Sequence, residues 1–108
     1  MFARNAHFRV KSLSMAEEFA RTFQKEVVPL LRAQAGFKGE VMLSNPGSLE
    51  RITFSLWENK DDAEAYHIHV YPKVLKVLAK LIDGTPKIRT FEAATLSVDH
   101  GTAERQRS

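Results

Sequence analysis

Residues 37–57 read FKGEVMLSNPGSLERITFSLW. Two runs rich in aliphatic, aromatic and β-branched residues, 37–44 and 49–57, flank Asn45-Pro46-Gly47-Ser48, a four-residue cluster of turn formers. The segment predicts an antiparallel hairpin, and it lies between two helical patterns. Before it, Met15, Phe19, Phe23, Val27, Leu30, Leu31 and Gln34 recur at three- and four-residue spacing and leave one apolar stripe. Ser14-Met15-Ala16-Glu17 has the form of a capping box, which places the helix start near Met15. Pro29 lacks an amide hydrogen and crowds the preceding turn, so a kink or restart is expected near Val28, and Gly36 supplies a left-handed stop.

After the hairpin, Asn59 is a good N-cap with Asp62 at the third helical position, and Ala63, Tyr66, His67 and Val70 repeat at helical spacing. Pro72 opens a further helical segment whose apolar face is Leu75, Leu78, Leu81 and Ile82, with Gly84 as its stop. Alternation over residues 2–11 and an Ile, Thr, Phe and Val-rich run over 87–98 predict the first and last strands. The order β-α-β-β-α-β predicts an α+β, ferredoxin-like antiparallel sheet with its helices on one face, in one domain over residues 1–98. Residues 99–108, DHGTAERQRS without the preceding strand, are polar and aperiodic and read as a flexible tail.

The composition removes several classes of function. With no cysteine there is no disulfide framework, thiolate metal site or cysteine nucleophile. No apolar run reaches membrane-span length and the first residues lack a secretory pattern, so a cytoplasmic protein without a membrane partner is expected. The net charge of +3 comes from Lys and Arg interspersed with acids, which argues against nucleic acid as a partner. Phe8 and Phe54 could suggest an RNA-stacking platform, but the RNP signature is absent. Neither a nucleophile elbow nor a glycine-rich phosphate loop is present.

A sheet covered by its own helices on one side presents its other side to water or to a partner. On the third strand Ile52, Phe54 and Leu56 alternate with Arg51, Thr53, Ser55 and Trp57. On the first, Phe8 and Val10 alternate with His7 and Arg9. Two assignments follow. In one, Phe8, Val10, Ile52, Phe54 and Leu56 form an open face that a homodimer buries, while Asn5, His7, Thr53 and Ser55 line a pocket roofed by Tyr66 and His67. In the other, the apolar face lies under the helices.

The βαββαβ order, Gly36-Phe37 after the first helix, Leu56-Trp57-Glu58-Asn59-Lys60-Asp61-Asp62-Ala63 entering the second, and Gly84-Thr85-Pro86 before the last strand resemble the antibiotic-biosynthesis-monooxygenase family. The resemblance spans residues 2–98 and implies a dimeric α+β barrel with a pocket between sheet and helices. It also implies oxidation of an aromatic substrate by O2 with no metal, flavin or other cofactor. Trp57 matches the family's strand-end tryptophan, and Thr53 and Ser55 share its face as substrate-binding residues. Thr53 and Ala63 stand where a quinone-forming branch carries asparagine and tyrosine. A heme-degrading branch is disfavoured because Lys76 occupies the position of its iron-ligating histidine.

Within this frame His7 is the candidate base, since an imidazole can accept a proton from a phenol near neutral pH. Asn5, Tyr66 and His67 are candidate donors that orient a carbonyl or a developing oxyanion. His67 and His69 do not form a metal pair, because residues two apart on a helix diverge and no further ligand accompanies them. The expected function is a cofactor-independent monooxygenase acting on a small aromatic or enolisable molecule. The alternative is a non-catalytic, small-molecule-binding or stress-related dimer.

Overall fold

In the computed structural model, which describes residues 1–94 and Ser97, the turn residues adopt the geometry their types favour. Gly47 takes a φ of 77°, and the Ser48 amide donates to the Asn45 carbonyl at 3.0 Å. Pro46 before that glycine is the residue order of a type II turn. The turn joins β2 (Phe37–Leu43) to β3 (Glu50–Trp57) as an antiparallel pair. A bulge between Phe37 and Gly39 lets both Phe37 and Glu40 reach the face that carries Trp57 and Ser55.

β1 (Phe2–Arg9) and β4 (Lys87–Glu92) complete a four-stranded antiparallel sheet in the order β2-β3-β1-β4. This is the expected α+β, ferredoxin-like arrangement. The last strand ends earlier than expected. Part of its expected extension and the whole of the expected tail, 99–108, lie outside the described residues.

The helical layer starts with a 3₁₀ turn (Leu13–Met15) leading into α1 (Ala16–Thr22). The expected capping box does not form. The 3₁₀ turn displaces Ser14 from the cap position, and its hydroxyl lies 2.9 Å from that of Ser12. The break ahead of Pro29 is present. The chain widens into a π turn over Phe23–Val27, with the Val28 amide donating to the Phe23 carbonyl, and α2 (Val28–Arg32) restarts with the proline in its first turn. There the missing donor goes unused. α3 (Lys60–His69) is capped by Asn59, whose side chain accepts from the Asp62 amide at 2.9 Å, and α4 (Tyr71–Leu78) carries Pro72 in its first turn.

Phe8, Phe19 and Phe23 pack ring against ring, 5.7–6.4 Å between centroids, beside the buried Val10, Val27, Leu31, Val74 and Leu78. Each such side chain contributes about 1.5–3 kcal/mol. Val10 pairs with Ile82, and the Asp83 amide donates to the Arg9 carbonyl at 2.7 Å, so the segment after α4 is tied to the end of β1.

Register assigns the two faces. Phe2 lies opposite Trp57, Arg4 opposite Ser55 and Ala6 opposite Thr53, and these residues face the helices. Ala3, Asn5 and His7 lie opposite Leu56, Phe54 and Ile52 on the open face, which β2 extends with Val41 and Leu43 and β4 with Phe91. The open face is therefore apolar along β3, as the first assignment expected. Phe8 and Val10 do not belong to it. Antiparallel partners here pair even positions of β1 with odd positions of β3, so Phe8 is buried beneath the helices while Ile52, Phe54 and Leu56 face outward.

Gly36 serves two local requirements. Its φ is 79°, and a Cβ at this position would collide with the Asp62 carboxylate. Gly36→Ala is expected to destabilise the fold by about 1–2 kcal/mol from backbone strain alone, with the collision added. Thermal denaturation should show Asp62→Ala in the same chain recovering only the carboxylate's share of the collision, since the Asp62 Cβ also lies within 2.8 Å of the added carbon, and leaving the strain.

Candidate functional site

Arg4 occupies an inward position of β1 between Phe2 and Ala6, and it is only 4% exposed. Its guanidinium lies 4.2 Å from the ring centre of Tyr71 and 5.1 Å from that of Tyr66, and one terminal nitrogen is 3.0 Å from Nδ1 of His67. The local sequence sets these neighbours. The Asn59 cap fixes the start of α3, which turns Ala63 and Tyr66 toward the sheet and leaves His67 at the helix flank. Four residues later Tyr71 opens α4, and its ring stacks on His67 at 5.4 Å and 18°. Trp57 continues the aromatic row, 5.2 Å from Tyr66.

The cation at the centre of this row is surrounded by neutral groups. Among the described residues the ion pairs are His7 with Glu50, Arg21 with Glu17, Lys38 with Glu58 and Lys60 with Glu64, and none involves Arg4. Ring faces and an imidazole lone pair partly replace a carboxylate. Burial pulls the Arg4 pKa below its ordinary value, although a guanidinium remains charged at any physiological pH.

The same burial shapes the neighbours. The Tyr66 hydroxyl is pushed up to about 12 by desolvation, against the opposing effect of Arg4, so it stays protonated and can donate. Tyr71 moves in the same direction for the same first reason. His67 is held below its ordinary value by desolvation and then by the Arg4 charge. Arg4 has only donors, so Nδ1 of His67 is the acceptor and the neutral ring carries its hydrogen on Nε2.

Arg4 and His67 form the polar end of a cleft between α3 and the β1–β4 edge of the sheet. The cleft holds about 400 Å³, within the range of small-molecule sites, and Phe2, Ala63, Ile68 and Ile88 form its apolar wall. Thr90, paired with Arg4 across the sheet, and Glu64 complete its lining. Arg4 also borders a separate void of about 10 Å³ deeper between sheet and helices. That void is bordered by Glu40 and Tyr71, and the Arg4 Nε, a Glu40 carboxylate oxygen and the Tyr71 hydroxyl have no hydrogen-bond partner among the described residues. Desolvation raises the Glu40 pKa.

Of the residues singled out from sequence, Tyr66 and His67 meet around Arg4. His7 and Asn5 do not join them. The register sends both to the open face, where His7 Nε2 is 3.3 Å from Glu50 and the Asn5 amide donates to the Thr53 carbonyl. The expected pocket lined by Asn5 and His7 beneath Tyr66 and His67 is corrected accordingly. Trp57, Thr53 and Ser55 do lie beneath the helices, but not around an open pocket. Trp57 is fully buried and donates to the Ser55 hydroxyl at 2.9 Å, and Thr53 and Ser55 border only the small interior void. The reading missed Arg4, Tyr71 and the cleft. A charge between Phe2, Ala6, Phe8 and Val10 on one strand face was the available signal.

Among the described residues no group of three His, Asp or Glu side chains gathers as a metal site, and no helix is long and apolar enough to cross a membrane. No family model and no curated protein matches the sequence. Solved structures do match in fold. SnoaB, a cofactor-independent oxygenase from Streptomyces nogalater, is 16% identical and superimposes with a TM-score of 0.72 over 88% of this chain and 94% of its own. The monooxygenase ActVA-Orf6 of Streptomyces coelicolor, solved with nanaomycin D, is 14% identical with a TM-score of 0.74 over 91% of each chain. A Deinococcus radiodurans protein provisionally assigned to the antibiotic biosynthesis monooxygenases is 13% identical with a TM-score of 0.74 over 94% of this chain and all of its own. The fold is therefore the one these monooxygenases share, as the sequence resemblance implied.

His67 offers a direct check on the electrostatics. Its ring resonances should titrate below the usual value of about 6.5, and Arg4→Met should move the midpoint only part of the way back, since burial is the larger cause. Because the folded chain resists this protonation, the contribution to stability is full above the unfolded value and falls as pH drops through it.

Proposed function

We propose that this chain is a monooxygenase that works without a resident cofactor, on a small aromatic or enolisable molecule held in the cleft above Arg4. The observation that carries the proposal is an apolar cleft of about 400 Å³ ending on a buried cation and a neutral imidazole. The apolar wall suits a planar hydrocarbon body. The polar end suits a substrate oxygen on which negative charge develops.

In this reading the substrate oxygen takes a guanidinium hydrogen bond that Arg4 now gives to His67. Nδ1 of His67 is thereby released to accept the substrate proton. Tyr66, kept protonated by burial, holds the guanidinium through its ring face. The deprotonated substrate supplies both electrons to O2, a carbon–oxygen bond forms as a hydroperoxide, and loss of water leaves a carbonyl. One oxygen atom enters the product, the other leaves in water, and the proton taken at the start returns to that water. SnoaB, named as a cofactor-independent oxygenase on the same fold, supports this class of reaction. His7 and Asn5, on the other face of the sheet, have no part in it.

The working unit we propose is a homodimer joined through the open sheet face. Its support is the cluster of Val41, Leu43 and Phe91, 44–48% exposed, around the partly exposed Ile52, Phe54 and Leu56. An apolar surface of this kind, carried on a sheet, is what a second copy would cover.

Two measurements test these statements. An oxygen electrode should record uptake with members of a phenol and quinol panel, with the purified protein as sole additive. Ile68→Trp, a change at an exposed residue of the cleft wall, should reduce uptake about tenfold or more while leaving the circular dichroism unchanged. Ligand binding without uptake would favour the non-catalytic binding dimer. For the assembly, light scattering should give a dimer mass at micromolar concentration, and Phe54→Asp should give a monomer, because it places a carboxylate in a dry contact.

A further inference from the structure

We infer that the cleft selects its ligand as a monoanion, with Arg4 as the specificity-determining residue: the ligand is an aromatic acid, or a phenol or enol that ionises when it binds. The inference rests on the same cleft as the proposed function and goes beyond it by naming the ligand's charge.

Arg4 is 96% removed from water by its 4% exposure, and among the described residues no carboxylate is within ion-pair distance of it. A buried cation is ordinarily matched by an anion, because its lost hydration is large compared with what neutral neighbours return. The Glu40 carboxylate, which borders the same small interior void as Arg4, makes no ion pair with it and is pushed by desolvation toward its neutral form. The groups that touch the guanidinium are neutral: the Tyr66 and Tyr71 rings and the Nδ1 lone pair of His67. They hold the guanidinium in place without neutralising it. The arrangement is that of a preset receptor for one negative charge.

The surroundings of the cleft restrict what can carry that charge. Phe2, Ala63, Ile68 and Ile88 offer no donors, so the body of the ligand must be apolar. The polar groups lie at one end, where Arg4 is accompanied by His67, whose Nε2 carries a hydrogen, and by the Thr90 hydroxyl on the strand position opposite Arg4. Glu64, the remaining charged group at the cleft, lies 3.7 Å from Lys60 on the exposed flank of α3. Its carboxylate would oppose a second negative charge near the rim, which favours a ligand with a single anionic group at the Arg4 end. A dianion or a phosphorylated ligand fits this distribution poorly.

Calorimetric titration with 2-naphthoate, its methyl ester and 2-naphthol tests the inference without reference to oxygen uptake. The acid should bind at least about tenfold tighter than the ester at pH 7.5, the margin expected when a guanidinium–carboxylate hydrogen bond is exchanged for one to a neutral carbonyl. Bound 2-naphthol should show the naphtholate absorption band at a lower pH than the free compound. Arg4→Met should abolish the acid's advantage, bringing the acid and the ester within about threefold of each other. If that variant does not fold, the acid-to-ester ratio and the naphthol titration of the natural chain still decide the matter. Equal binding of acid and ester would overturn the anion inference while leaving a cleft for neutral aromatics. An advantage that survives in a folded Arg4→Met would overturn the role of Arg4. Failure of all three compounds to bind would overturn both the inference and the cleft reading. Oxygen uptake absent despite a strong preference for the acid would remove the oxygenase reading alone.

Discussion

The antiparallel register of β1 on β3, with Phe2 opposite Trp57, is the constraint from which the rest of the structure follows. It pairs even positions of one strand with odd positions of the other, and so gathers Phe2, Arg4, Ala6 and Phe8 with Ser55, Thr53 and Trp57 beneath the helices. A slip of one residue would invert every one of these assignments. Arg4 would then face outward and His7 inward, and the cleft would lose its cation. Bulk explains why the observed register prevails. Phe8 and Trp57 are fully or almost fully buried, and Phe8 meets Phe19 and Phe23 in an aromatic cluster of the core.

Placing a cation in that core requires a compensating environment, and the second helical region supplies it. The Asn59 cap, the break between α3 and α4 and the four-residue step from His67 to Tyr71 bring two ring faces and an imidazole around one guanidinium. None of these groups carries charge at neutral pH. Desolvation pushes the Tyr66 hydroxyl up to about 12, and the His67 pKa is lowered by partial desolvation and then by the Arg4 charge. The electrostatic character of the cleft is thus a consequence of packing, with a net positive end and apolar walls.

The two sides of the sheet differ in character. On the covered side small hydroxyl residues fill space rather than open it. Ser55 accepts from the Trp57 indole, and Thr53 borders a void of about 10 Å³, so the volume available for a ligand shifts to the edge between α3 and β4. On the open side Val41, Leu43, Ile52, Phe54, Leu56 and Phe91 present an apolar surface interrupted by Asn5 and His7 and, opposite them on β4, by Arg89 and Lys87. Shared fold with SnoaB and ActVA-Orf6 is compatible with this division, but fold alone assigns no chemistry to it.

Local rules of backbone geometry were legible in the chain. Asn45-Pro46-Gly47-Ser48 is a turn, Asn59 is a cap, Pro29 forces a break and Gly36, past the helix end at Arg32, turns the chain into β2, because each acts through its own backbone and near neighbours. Those signals, with two-residue and near-four-residue periodicities, determined the α+β class, the element order and the apolar character of the outer face of β3. Which residues of β1 share a face with Trp57 is a different kind of fact. It depends on the sum of two positions far apart in sequence, and alternation within either strand is satisfied by both parities. The same holds for Arg4, which reads as one charge on an apolar stripe until α3 and α4 place Tyr66, His67 and Tyr71 around it. The site was decided only by tertiary structure, because a register and a helix docking are relations between segments that neither segment encodes alone.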